Sequence, residues 1–238
     1  MPETDAAKRH VQYHGKLTQV QSATAMQAAR LNALYLLDTA EILFDLKRYA
    51  HSVAFSILAI EEAGKLVYLQ SIFLGFGGKR AHLWKAYRNH RAKTEVLNIG
   101  VESRIRAEFP NLSRDKAKEI GKRGPTPDQL EISKQRAIYS DCLETADGFQ
   151  CHLPRNADWR NTAWDRLCEA RAIVTNLRDY SPEELGIWLK HAKEAQAKGG
   201  NAATMLEALH KELLAKGFVK DGWWNTLLAD SEQEQRPG

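Results

Sequence analysis

Residues 54–70, AFSILAIEEAGKLVYLQ, set two adjacent carboxylates, a glycine and a lysine inside an otherwise apolar run with helical spacing. On a wheel of about 100° per residue, Glu61 and Lys65 fall within roughly 40° of each other, on a stripe shared with Ala54, Leu58, Tyr68 and Ile72. The opposite side is small or mildly polar (Ser52, Ser56, Ala59, Ala63, Gln70), and Val53, Ile60, Leu66 and Val67 fill the flanks. A helix apolar on most sides belongs in the middle of a bundle. An unpaired carboxylate there costs several kcal/mol, so Glu61 must be paired, hydrogen-bonded or protonated. Lys65 is the nearest candidate partner, but an i,i+4 pair contributes only about 0.2–0.5 kcal/mol, so something further should compensate Glu61. Glu62, at the stripe's edge, is expected to serve differently.

Around this segment the chain reads as helices. Gln21 to Arg48 carries good helix formers with no Gly or Pro. Leu31, Tyr35, Ile42 and Tyr49 suggest its inner stripe, which makes Asp38 a candidate inward carboxylate. His51 to about Phe76 forms the second helix, stopped by the glycines of GFGG, and Arg80 to about Phe109 the third, stopped by Pro110. In the third, Leu83, Ala86, Tyr87, His90, Thr94, Leu97, Val101 and Ile105 follow helical spacing, which points His90 at the bundle while Arg88 and Arg91 leave that stripe. Three long antiparallel helices imply a bundle. The Gly- and Pro-punctuated segment at about 110–127 predicts a basic loop, and Asp147-Gly148 a hairpin near 138–152. Three more helices follow, from Asp158 to about Tyr180, Pro182 to about Lys198 and Asn201 to about Lys216. The expectation is all-α: an N-terminal arm over 1–20, one helical domain over 21–230 and a disordered tail over 231–238.

Net charge is +4, but Lys79 to Arg123 holds 13 Lys/Arg against 5 Asp/Glu, so this stretch is +8 and the remainder −4. Such a region suits phosphate, whether of RNA, DNA or a nucleotide; it also suits a merely solvated helix face. There is no signal-type apolar segment and no run of the roughly 20 apolar residues that spans a bilayer, so a cytoplasmic protein without membrane contact is expected. Cys142, Cys151 and Cys168 are odd in number, lack a CxxC arrangement and read as reduced thiols. With His152 they match no compact zinc site, and Glu207-Ala-Leu-His210 is a single Glu-x-x-His pair where a dinuclear centre wants two. GFGG lacks the strand-to-helix setting of a dinucleotide fingerprint. Trp223-Trp224 with Phe218 reads as the closure of a small core rather than a base-stacking platform. No metal and no cofactor is implied.

The residues resemble a known family. LNALYLLDTAEILFDLKRYAHSVAFSILAIEEAGKL, then WKAYRNHRAK, then KQRAIYSDC with DGF, are similar to AbiV, an abortive-infection branch of the HEPN superfamily. The distinctive pieces are A-I-E-E-x-G-K, Ala59 to Lys65, and H-x-x-K, His90 to Lys93, supported by Arg136, Tyr139 and Asp141; the resemblance covers about residues 25–155. It implies a bacterial phage-defence protein on a helical bundle, often a homodimer. Many superfamily members cleave RNA without a metal, using a histidine preceded four to six residues earlier by an arginine, contributed across a dimer interface. Here no arginine holds that spacing: Arg88 stands two before His90, and Lys85 five before.

Two readings follow. In the first, the chain acts on RNA, with His90 as acid–base group, Glu61 as its orienter, Lys85 or Arg88 on phosphate, and Arg91, Lys93 and Lys65 as RNA contacts. In the second, Glu61, Lys65 and His90 form a polar network that fixes helix register, and the helical surface binds a phage or host protein.

Overall fold

The computed structural model describes residues 13–75, 78–94, 124–145, 148–152, 154, 159–198 and 202–220. The third helix beyond Thr94, most of the basic loop, Asp147, Trp223-Trp224 and the tail lie outside them.

Helix α1, Gln19–Asp45, starts at a capping box in which Thr18 and Gln21 satisfy each other's backbone N–H groups. Its core face is not the expected one. Ala29, Ala33, Leu37 and Ala40 are buried, whereas Leu31, Tyr35 and Ile42 are 39, 65 and 59% exposed and Asp38 faces solvent. The small residues win that seam because helix α2, Tyr49–Leu74, supplies bulky Val53, Ile57 and Ile60, and only a low-relief face can lie flush on them. Ser52 Oγ donates to the Ala40 carbonyl across the contact at 2.8 Å. Asp38 is thus corrected to a surface carboxylate.

Helix α2 is the axis of the molecule, buried on nearly every side as its composition requires. One core gathers the first part of α1, the end of α2, α3 (Arg80–Arg88), and the late helices α7 (Pro182–Lys198) and α8 (Ala202–Ala215). The other gathers the end of α1, the start of α2, α5 (Pro127–Ile138) and α6 (Arg160–Val174). α2 ends at Gly75, whose left-handed φ of 76° suits glycine.

The single third helix expected from Arg80 is broken. Asn89 is extended (φ −83°, ψ 121°), and its Oδ1 accepts from the backbone N–H groups of Arg91 and Ala92, at 2.9 and 3.4 Å. It thereby caps a new short helix, α4, His90–Thr94. After α5, whose own capping box is Thr126 with Gln129, strands β1 (Asp141–Thr145) and β2 (Gly148–His152) pair antiparallel, the backbone of Cys142 opposite Cys151.

α6 stops at Val174, short of the expected Tyr180, because the following loop is held from outside. Arg30 Nε donates to the Leu177 carbonyl at 3.0 Å, and Arg178 clasps buried Glu184 while lying over the Tyr180 ring. α7 and α8 are joined by Glu212, which takes Lys190 Nζ at 2.8 Å and His191 Nε2 at 2.9 Å.

Within α6, burial pushes the Glu169 carboxyl up to about 7, against the pull of Arg166, whose Nη1 lies 2.8 Å away. The folded state therefore holds a proton that the unfolded chain releases near its ordinary value of 4.5. Stability present below that value is lost as pH rises through about 7. Glu169→Gln, melted thermally across this range, is expected to flatten the fall in melting temperature seen with wild type; a parallel fall in both would show that Glu169 is not its source.

Candidate functional site

The site is built on one contact between helices. At Gly64 an added Cβ would stand 2.1 Å from the Lys93 carbonyl oxygen, so only glycine lets the α4 backbone come this close to α2. Tyr68 Oη, one turn on, donates to the Ala92 carbonyl at 3.2 Å. Gly64→Ala is expected to push α4 off α2 at a cost of about 2 kcal/mol or more, since backbone rather than a flexible side chain must yield. A melting temperature within a degree of wild type would show that α4 re-seats freely.

So docked, α4 brings His90 to the carboxylate at the centre of α2. Glu61 is 2% exposed, and its Oε2 lies 2.6 Å from His90 Nδ1. Lys93 Nζ stands 3.7 Å from the same oxygen. From α5, Lys134 Nζ donates to Glu61 Oε1 at 2.6 Å and lies 2.7 Å from Glu131 Oε2. Gln135 Nε2 donates to the other Glu131 oxygen at 2.9 Å. A buried carboxylate bound to an ammonium that is itself shared with a second carboxylate is a satisfied network.

The electrostatics follow from who is buried beside whom. Burial alone would depress Lys134, but hydrogen bonds and attraction from Glu131 and Glu61 outweigh it and hold the ammonium above its ordinary range. Glu131 is likewise favoured as the anion: burial opposes its charge, and Lys134 and Gln135 more than compensate. Lys93 goes the other way, pulled below its ordinary range mainly by burial, with Glu61 only partly restoring it.

The sequence expectations divide. Glu61 and His90 meet as foreseen, although His90 is 56% exposed rather than enclosed. Lys65 is not the partner of Glu61; it pairs with Glu62 at 2.6 Å and lies 5.7 Å from the Tyr87 ring centroid. Arg91 is on the surface with Asp128 at 2.9 Å, and Lys85 is exposed on α3. Arg88 turns away to His14, with Nη1 3.0 Å from Nδ1, because the extended residue Asn89 separates it from His90. Lys134 and Glu131 are the site residues that sequence reasoning missed. Their signal was present: Leu130, Lys134 and Ala137 recur at i, i+4, i+7, placing a lysine on the buried face of α5.

Glu61, His90 and Glu131 also bring one potential metal-ligand atom each within 4.8 Å of one another. The Lys134 ammonium lies between the two carboxylates, where a divalent ion would bind, so the set as folded is occupied by the protein's own cation and does not fit a metal. The ionised Glu61 carboxylate accepts from His90 Nδ1, which orients the half-exposed ring and leaves Nε2 as the nitrogen not engaged by Glu61. The arrangement can move protons at an exposed edge of the bundle.

The chain belongs to the AbiV family: the HEPN family model described as AbiV matches residues 21–175, from α1 through α6. No curated protein and no solved structure matches the chain. No helix among the described residues is long and apolar enough to cross a membrane.

Proposed function

We propose that the chain is an RNA-directed effector of phage defence by abortive infection, and that it cleaves RNA without a metal. The observation that carries this reading is the half-exposed His90 held 2.6 Å from buried Glu61. RNA supplies its own nucleophile, the 2′-hydroxyl, so the protein need only move protons and steady phosphate charge. His90 Nε2 takes the 2′-hydroxyl proton as that oxygen attacks the phosphorus, or returns a proton to the departing 5′-oxygen. Arg91, next to His90, is the phosphate cation on this reading: its pair with Asp128 is 63 and 61% exposed, and a surface pair contributes only about 0–1 kcal/mol, so phosphate can replace it. Exposed Lys85 adds charge along the strand. The family likeness supports a homodimer, in which a second copy brings further cations to the phosphate.

A second reading rests on Lys134, which satisfies Glu61 without any substrate. There the network is structural, and the bundle surface engages a phage or host protein. Incubating purified protein with total RNA in chelator-containing buffer separates the two. Cleavage lost in His90→Ala supports the first reading; wild type that leaves RNA intact overturns it.

A further inference from the structure

Arg88, displaced from His90, belongs to a second feature. A cavity of about 390 Å3 opens where the segment before α1 crosses α3, lined by Tyr13, Leu69, Trp84, Tyr87 and Arg88 among others. Three rings share its lining with aliphatic side chains: buried Trp84 stands edge-on to Tyr13, with centroids 6.1 Å apart, and to Tyr87, at 5.4 Å. Trp84 Nε1 donates to the Gly15 carbonyl at 3.2 Å, and Tyr13 Oη donates to the Lys16 carbonyl at 2.8 Å, so the chain itself holds two of the rings in place. Arg88 sits at the polar side. Among the described residues its partner is the His14 ring, with no carboxylate at salt-bridge distance, so its charge has no counterion there. Aromatic walls accept a flat ring, and a guanidinium without a counter-anion accepts a phosphate.

We infer that this cavity is a nucleotide subsite, with the base against Tyr13 and Tyr87, which buried Trp84 backs, and the phosphate on Arg88. The choice of a nucleotide over any other aromatic anion rests on the reading of His90 as the cleaving group. Arg88 is two residues before His90, which keeps their backbones within about 7 Å, so the cavity and the histidine flank the same break in the chain at Asn89. The volume suits one nucleotide rather than several.

Calorimetric titration of the full chain at low salt with uridine or adenosine 5′-monophosphate, with the parent nucleosides and with inorganic phosphate tests this without requiring cleavage. A mononucleotide is expected to bind at least about tenfold more tightly than either part. Tyr13→Ala should weaken it about tenfold by removing a stacking wall, and Arg88→Gln should weaken it at least as much while reducing its salt dependence. Tyr13 is 52% exposed and Arg88 only partly buried, so both variants should melt near wild type, which the same samples verify. Inorganic phosphate binding as tightly as the nucleotide, absent nucleotide binding, or unchanged affinity in both variants overturns the subsite. Nucleotide binding by a protein that leaves RNA intact keeps the subsite and sinks the cleavage reading. RNA cleavage with an unchanged KM in both variants does the reverse.

Discussion

His90→Ala is expected to lower RNA cleavage by about two to four orders of magnitude, the usual contribution of a positioned acid–base group, while the protein stays folded. The two halves of this expectation come from different observations. The loss of rate follows from the half-exposed imidazole, which Glu61 orients through Nδ1. Retention of the fold follows from what remains. Without the imidazole, Glu61 still has Lys134 at 2.6 Å and Lys93 at 3.7 Å, so no buried charge is orphaned, and a half-exposed ring leaves no sealed cavity. Initial rates on one RNA in chelator, with melting curves on the same preparations, check both. A melting temperature lowered by many degrees with little change in rate would mean that His90 holds the bundle together rather than moving protons.

Lys134→Met is expected to do the opposite, striking stability first. It removes an ammonium that touches two carboxylates at 2.6 and 2.7 Å, one of them 2% exposed, and puts an apolar chain in its place. Breaking a buried pair by removing one partner costs about 3–5 kcal/mol, because the surviving charge is stranded. For a chain of this size that is a drop in melting temperature on the order of 10 °C. The stranded groups should also be the remedy: Glu61→Gln added to Lys134→Met should recover part of the loss, since the amide is neutral and can still meet His90 and Lys93. Thermal melts of wild type, both single variants and the double variant form the cycle. Strict additivity would show that Lys134 and Glu61 do not act on each other, and would remove the satisfied network on which the second functional reading rests.

Residues 54–70 show why some of this site was legible in advance. Glu61 sits among residues whose spacing is helical and whose faces are apolar, so its burial and its need of a partner follow from local periodicity and the cost of burying charge. His90 could be paired with it because it too falls on a helical stripe, and the family's motifs name both residues. Lys134 is 73 residues from Glu61, and nothing in either segment says which of many lysines will arrive. The same limit misplaced Lys65, which satisfies helical spacing with Glu61 yet closes on Glu62, the neighbour its side chain reaches once Glu61 is engaged from other helices. On α1 the larger side chains suggested the buried face, but depth there is set by how closely α2 can approach, which favours alanine over tyrosine. Asn89 reads as one more helical residue until the chain turns around it.

The sequence by itself determined an all-α bundle, the central place of α2, the glutamate that had to be answered and the family to which the chain belongs. Each of these follows from periodicity, composition or motif, properties of residues close together along the chain. Only the tertiary structure decided which cation answers Glu61, that Gly64 admits the α4 backbone, and that Arg88 turns to an aromatic cavity while His90 turns to Glu61. Those outcomes depend on distances between segments far apart in sequence, where packing density and the cost of burying charge select one arrangement from many that local pattern allows.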